Sequence, residues 1–190
     1  MGTEASVGGS KLNVAVAMVV AIAVATVGVA TRAQQAAAGP TGPAAEVQRA
    51  YNGLKANIMK AANNMPADAY TYKPTPEIRT FARVVNHISE AQDRSCGAVN
   101  ASSGSVPAVP PETADKAAIV AALQASFAAC DTAMASLTDA NLTEMVQVGP
   151  TGKRSRIGLL WGTVSHDNEQ YATLALYMRL KGLTPPSSEK

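Results

Sequence analysis

The sequence has little charge, few aromatic side chains and very few histidines or cysteines. Charged residues make up 16% of the 190 residues and aromatic residues 4%, whereas hydrophobic residues reach 47%. Because disordered chains show the opposite balance, a folded protein is expected. The formal net charge is +2, and the longest basic cluster is Lys153, Arg154 and Arg156. So weak a basic patch, with so few rings for base stacking, argues against a nucleic-acid partner.

The N-terminal region contains a long apolar run at residues 12–30, flanked by Lys11 and Arg32. Such a run, followed by small residues, is typical of a secretory signal peptide. It is also long enough for an uncleaved anchor, because about 20 apolar residues span a bilayer. Residues 1–33 are therefore predicted as a signal peptide or signal anchor, and residues 34–43 as a linker. Both alternatives export the rest of the chain, to the periplasm or as a secreted or membrane-anchored protein.

Residues 44–190 are predicted to form an all-α, four-helix bundle. Their apolar residues recur at spacings of three and four, which places them on one face of each helix. The predicted helices cover residues 44–65, 76–96, 113–137 and 156–181, and prolines or glycines such as Gly97 end them. A short extended piece is predicted near residues 145–152. The single tryptophan, Trp161, is expected to pack against the bundle.

The connection between the second and third helices indicates the topology. Residues 97–111 are rich in Gly, Ser and Pro and exceed what a helical hairpin needs, which suggests a crossover between parallel neighbours. Cys96 and Cys130 each lie about 16 residues into their predicted helices, so parallel helices would bring them to one level. Both arguments favour an up-down-down-up bundle. In an exported protein two cysteines favour a disulfide, and two buried free thiols are the alternative.

The two histidines are the main candidates for chemistry. His87 is predicted on the second helix and His166 on the fourth, each beside an apolar stripe. His166 and Gln170 are four residues apart and share a helix face. Asp167 is expected to lie on a different face from His166 and Gln170. A hydrogen-bonded polar cluster of His87, His166 and Gln170 is the non-metal alternative.

Two stretches of the sequence carry a family resemblance. They are MPADAYTYKPTPEIRTFARVVNHI at residues 65–88 and HDNEQYATLALYMRLKGLTPPSS at residues 166–188. They resemble the first loop and second helix, and the last helix, of the DinB-like family, which includes the YfiT-type proteins. The resemblance implies an up-down-down-up bundle. Many members bind a divalent metal through three histidines, and known activities include thiol-dependent transfer and hydrolase-like chemistry.

The resemblance implies a metal site that is degenerate in this chain. His87 and His166 match two of the histidine ligands, and Gln170 stands at the position of the third. An amide oxygen is a poorer ligand than imidazole for zinc or nickel. The expectation is therefore either a metal-dependent hydrolase or transferase with a small-molecule substrate, or a non-catalytic bundle that binds a ligand or protein. Catalytic residues and substrate are not identified, a homodimer is left open, and membrane contact is expected only through the N-terminal segment.

Asp93 and Arg94 are adjacent charged residues on the second predicted helix. A charged pair of this kind is typical of a solvated helix face, and the sequence predicts such a face here.

Overall fold

Four helices and one β-hairpin dominate the described chain in this computed structural model. The structure describes residue 2, residues 41–102 and residues 108–189. The elements are α1 (Pro43–Asn64), α2 (Phe81–Val99), α3 (Lys116–Ala135), β1 (Met145–Val148), β2 (Gly152–Ser155) and α4 (Arg156–Leu180). The chain divides into two units, Met1–Thr41 and Gly42–Lys190, and all these elements lie in the second. The predicted signal or anchor segment lies outside the described residues.

Side-chain caps begin three of the helices. The side chains of Thr80, Asp115 and Ser155 accept hydrogen bonds from the backbone N–H three residues further on, at 3.0, 2.7 and 3.2 Å. A capping oxygen satisfies a backbone donor that the first helical turn leaves unpaired. The caps place the starts of α2 and α3 a few residues later than the sequence predicts. The predicted start of the fourth helix is correct.

Gly97 does not end α2, and the sequence prediction was wrong on this point. The helix continues to Val99, and Ala98 and Val99 are each only 8% exposed. A glycine inside a helix costs about 0.5–1 kcal/mol relative to alanine. Burial of the two following side chains offsets a cost of that size. The helix ends at Asn100, and Ala101 then adopts a positive φ of 54°.

Helices α2 and α3 run in the same direction. Near their starts, Thr80 Oγ1 donates to Glu112 Oε2 at 2.5 Å. Near their ends, Cys96 and Cys130 form a disulfide with Cα atoms 5.0 Å apart. Both cysteines are fully buried. The predicted disulfide is therefore confirmed in place of two free thiols.

The other two helices, α1 and α4, run antiparallel to α3 and α2, respectively. Gln48 near the start of α1 donates to the carbonyl of Met134 near the end of α3, at 2.8 Å. Tyr177 near the end of α4 donates to the carbonyl of Arg79 just before α2, also at 2.8 Å. These contacts give the order up-down-down-up. The prediction of a four-helix fold is correct. The extended piece predicted near residues 145–152 forms β1 and the turn of a two-stranded antiparallel hairpin, which β2 completes before α4.

The core consists of the apolar stripes that the sequence spacing predicts. Among the residues less than 2% exposed are Ile58, Phe81, Ile88, Ile119, Leu123, Phe127, Leu160, Leu174 and Met178. Trp161 is an exception, because its side chain is 53% exposed and the expectation that it packs against the bundle is wrong. A helix turns by about 100° per residue, so Leu160 occupies the core position and Trp161 points away from it.

Helix α3 is apolar enough to raise the question of membrane insertion. Within the described ranges it is the one helix that is long and apolar enough to cross a membrane. Buried core helices of folded proteins can be equally long and apolar. α3 supplies Leu123 and Phe127 to the core and Cys130 to the disulfide, so it serves as a helix of the bundle.

Gly42 has a backbone conformation that favours glycine, with φ of 106°. A Cβ at this position would collide with the carboxylate of Asp139, which also accepts a hydrogen bond from the Ala44 N–H at 2.9 Å. We expect Gly42→Ala to lower the free energy of unfolding by about 1–3 kcal/mol. Urea denaturation measures the change. Gly53→Ala is the control, because Gly53 lies within α1 and its Cβ would meet open space.

In that control, alanine is expected to leave stability unchanged or raise it by up to about 1 kcal/mol. A Gly42→Ala protein that unfolds at the same urea concentration as the unmodified protein would contradict the prediction.

Candidate functional site

The two histidines meet between α2 and α4. Nε2 of His87 and Nε2 of His166 are 3.2 Å apart, and the ring planes cross at 67°. The two side chains are 20% and 27% exposed, so they are accessible from the surface. At this distance one imidazole N–H can donate to the other ring's nitrogen.

The same separation is compatible with a shared metal ion. Zinc binds imidazole nitrogen at about 2.0–2.1 Å, and two such ligands in tetrahedral geometry lie roughly 3.3 Å apart. The observed 3.2 Å between the Nε2 atoms is close to that value. The distance between the two Nε2 atoms is therefore compatible either with a direct hydrogen bond or with a shared divalent ion.

A buried carboxylate holds the outer nitrogen of His166. Asp167 Oδ1 lies 3.2 Å from His166 Nδ1, and Asp167 is 1% exposed. Its second oxygen accepts a hydrogen bond of 2.6 Å from Gln92 Nε2, and Gln92 Oε1 accepts one of 2.9 Å from Ser126 Oγ. The network ties α4 to α2 and α3. A carboxylate on the outer nitrogen is the usual support of a metal-binding histidine, because it fixes the tautomer and the ring orientation.

Asp167 points into the bundle whereas His166 is partly exposed, as expected for different helix faces, but the two side chains are nevertheless in contact. Adjacent helical residues diverge, but the imidazole of His166 turns its Nδ1 back towards the neighbouring carboxylate. A sequence signal for this existed and was missed. The apolar stripe of α4 has no apolar residue between Val164 and Tyr171, which are seven positions apart. Asp167 occupies the inward-facing position between them.

Burial and nearby positive charges favour the neutral form of the His87 imidazole. Burial, and then the charge of Arg79, lower the pKa of His87. Glu90 Oε2 lies 3.8 Å from His87 Nδ1, and Arg83 binds the same carboxylate at 3.0 and 2.9 Å. That hydrogen bonding from Arg83 lowers the pKa of Glu90. A neutral imidazole is the form that binds metal.

Burial and hydrogen bonding shift the pKa of Asp167 in opposite directions. Burial raises its pKa, and the hydrogen bonds from His166 and Gln92 partly offset that effect. The histidine and the amide therefore stabilise the ionised carboxylate inside the bundle.

The predicted third ligand, Gln170, makes no hydrogen bond to the histidines. Gln170 is 8% exposed and follows His166 by one turn of α4. Across residues 41–102 and 108–189, its side chain makes no hydrogen bond to either imidazole, and no group of three or more His, Cys, Asp and Glu side chains is arranged to hold a metal. Its role as a ligand stays a prediction.

A cavity of about 210 Å³ opens beside His166. Arg94 and Ser95 of α2, Arg154 of β2 and Thr163 of α4 are among the residues that line it. The cavity gives a small molecule direct access to the imidazole. The sequence did not indicate that Arg94 and Arg154 belong to one site, because only the fold brings them to the same cavity.

Larger hollows lie elsewhere on the bundle. One of about 550 Å³ is lined by Tyr51, Lys55 and Asp131 between α1 and α3. There Tyr51 donates to Asp131 at 2.9 Å, and burial raises the pKa of Tyr51 well above its ordinary value. A tyrosine that stays protonated and paired in this way links helices and is not an activated nucleophile. We therefore place the candidate chemistry at the histidines.

Comparison with known proteins identifies the family. The sequence profile of the DinB superfamily matches residues 50–174, which is more than half of the chain. No curated protein matches it. The fold is similar to that of a DinB-like protein from Bacillus cereus, with a TM-score of 0.61 and 18% identity over 74% of this chain and 93% of that one.

Two further solved structures share the fold. A conserved protein from Enterococcus faecalis has a TM-score of 0.57 and 14% identity, over 74% of this chain and 98% of that one. A DinB-like protein from Bacillus subtilis has a TM-score of 0.57 and 16% identity, over 73% and 93%. At these identities the structures establish the fold, and the profile match establishes the family. The chain belongs to the DinB superfamily.

Proposed function

We propose that this protein binds one divalent metal ion, zinc or nickel, at His87 and His166 and acts on a small-molecule substrate. The observation that supports the proposal is the 3.2 Å separation of the two Nε2 atoms, with the Asp167 carboxylate on the outer nitrogen of His166. A bound divalent ion acts as a Lewis acid and lowers the pKa of a water or thiol bound to it. The proposed reaction is of hydrolase or transferase type.

The surrounding residues have distinct roles in this proposal. His87 and His166 hold the ion through Nε2, and the amide oxygen of Gln170 is the proposed third ligand. Asp167 accepts the Nδ1 proton of His166, which leaves the Nε2 lone pair free to bind. Because an amide oxygen takes the place of the third imidazole, the site is expected to bind metal more weakly than a three-histidine site.

A second candidate is a non-catalytic bundle that binds a ligand or protein partner. It is favoured by the absence of a hydrogen bond between Gln170 and either imidazole in the described part of the chain, together with the hydrogen-bond distance between the rings. In this alternative the histidines form a polar pair that joins α2 to α4.

We also propose that the folded unit functions outside the cytoplasm, in the periplasm or as a secreted protein. The buried disulfide supports this, because disulfides persist in oxidising compartments. Mass spectrometry of the native N-terminus distinguishes signal cleavage near residues 30–38 from an uncleaved anchor. An intact N-terminus on protein recovered from the cytoplasmic fraction would contradict export.

Elemental analysis and zinc competition titration test the metal proposal. Protein purified without chelator is expected to carry nearly one equivalent of divalent metal. His87→Ala is expected to weaken zinc binding by about 100-fold or more, because it removes a ligand. Gln170→His is expected to strengthen binding by about tenfold or more, because imidazole replaces an amide.

Asn168→His is the matched control for the second variant, since it adds an imidazole on an exposed part of the same helix. It is expected to leave zinc affinity unchanged. Absence of metal at saturating zinc or nickel would contradict the proposal. Metal bound only by Gln170→His would favour the non-catalytic bundle.

A further inference from the structure

We propose that the cavity beside His166 binds the oxyanion group, carboxylate or phosphate, of a small molecule. The inference deepens the proposed function by naming the substrate class, and it rests on that function only for the role of the bound molecule as substrate. Binding of the anion itself depends on the cavity and is measured separately from metal binding.

Two guanidinium groups line this cavity from different elements. Arg94 comes from α2 and Arg154 from β2. Arg94 influences Glu90 through its charge but makes no hydrogen bond or ion pair with any described residue. Its N–H donors are therefore available to a ligand. Arg94 is exposed, as the sequence interpretation of a solvated face predicts, but that interpretation did not include a place beside a cavity.

Arg154 is held in place and keeps free donors. Its Nη2 donates to the carbonyl of Gly158 at 2.9 Å. The same guanidinium lies over Gly162, where a Cβ would be 3.6 and 3.9 Å from its two terminal nitrogens. One hydrogen bond fixes the group and leaves several N–H donors for a second partner. A guanidinium positioned in advance loses little entropy when it binds an anion.

The remaining lining favours negative charge. Ser95 makes no hydrogen bond within the described residues, so its hydroxyl can donate to a ligand. Among the described residues, no carboxylate lines this cavity. Of the acidic groups beside the two histidines, Glu90 is bound by Arg83, and Asp167 accepts from Gln92 behind the imidazole. Asp93, which precedes Arg94 in the sequence, is not among the residues that line the cavity.

The size of the cavity limits the ligand. Its volume of about 210 Å³ is below the roughly 300–1,000 Å³ typical of drug-sized ligand sites. It accommodates a small anion or the anionic end of a larger molecule. Arginine pairs well with carboxylate and phosphate because its planar fork matches their oxygens. An anion held there places the rest of its molecule beside His166.

Phosphate and succinate are the probes that test the inference. Each is titrated into the full-length protein, once after chelator treatment and once after zinc loading, while NMR follows the ring signals of the two histidines. A saturable shift, larger for His166 than for His87, is expected with at least one probe in both forms. The probe that saturates at the lower concentration identifies the preferred oxyanion.

Charge-removing variants locate the binding. Arg94→Gln and Arg154→Gln are each expected to weaken binding of the preferred probe about tenfold or more, because each removes charged hydrogen bonds. Lys153→Gln is the matched control, since it removes the same charge one residue from Arg154 and outside the cavity lining. It is expected to change affinity less than about twofold.

The outcomes separate this inference from the metal proposal. Absence of saturable shifts with both probes would overturn the inference, and so would a Lys153→Gln loss equal to that of Arg94→Gln. Anion binding that persists in a protein unable to bind zinc would support the inference and contradict only the metal proposal. Zinc binding without anion binding would support the metal proposal and overturn this inference.

Discussion

A variant with alanine at both Cys96 and Cys130 is expected to lose about 3–4 kcal/mol of unfolding free energy relative to the oxidised protein. The disulfide joins residues 34 apart, and the entropy of closing a loop of that length in the unfolded chain gives this magnitude. Folded domains have only about 5–15 kcal/mol of stability, so the loss is a large fraction of the total. Urea denaturation followed by circular dichroism measures it.

Reduction provides the matched control for the cysteine variant. A reducing agent is expected to lower the stability of the unmodified protein to a similar level and to leave the double-alanine variant unchanged. Equal urea midpoints for the oxidised protein and the variant would show that the cross-link contributes nothing.

Asp167→Ala is expected to weaken both the fold and the proposed metal site. The substitution removes the acceptor of Gln92 Nε2 inside the core and the partner of His166 Nδ1. An unpaired buried polar group costs about 1–3 kcal/mol. Loss of the carboxylate behind a metal-binding histidine lowers metal affinity about 10–100-fold. Urea denaturation and zinc competition titration measure the two effects on the same protein.

Glu169→Ala is the control for this variant, because Glu169 is an exposed carboxylate two residues away on the same helix. It is expected to leave both quantities unchanged. Asp167→Asn keeps the side-chain volume and one acceptor, so it is expected to lose less stability than Asp167→Ala. Unaltered zinc affinity in Asp167→Ala would contradict the supporting role assigned to the carboxylate.

The helical layout was readable from the sequence because each helix buries one face. Ile58 and Leu123 lie on stripes with spacings of three and four, and both are fully buried. The positions of Cys96 and Cys130 along their helices also predicted that α2 and α3 run parallel. These predictions needed only helix geometry, which depends on the local sequence.

Other features depend on packing and were not predicted. The low helix propensity of glycine predicts that α2 ends at Gly97, but the helix continues beyond it because Val99 is buried. Trp161 is a large apolar residue, yet its position on α4 turns it towards solvent. Propensity and hydrophobicity are averages over many contexts, and a single residue follows its place in the fold.

The site was predictable only in part for the same reason. His87 and His166 stand out because the chain has no other histidines. Their supporting network is formed by Asp167, Gln92 and Ser126, which come from three helices and have no common sequence motif. Arg154 belongs to a basic cluster in the sequence, but only the β-hairpin brings it to the cavity beside His166.

The most direct test of the metal proposal is anomalous X-ray diffraction at the zinc edge from crystals of the zinc-loaded protein. The proposal predicts a single peak between the two histidines, about 2.0–2.1 Å from Nε2 of His87 and of His166. Two imidazoles still at hydrogen-bond distance, with no anomalous peak between them, would contradict it.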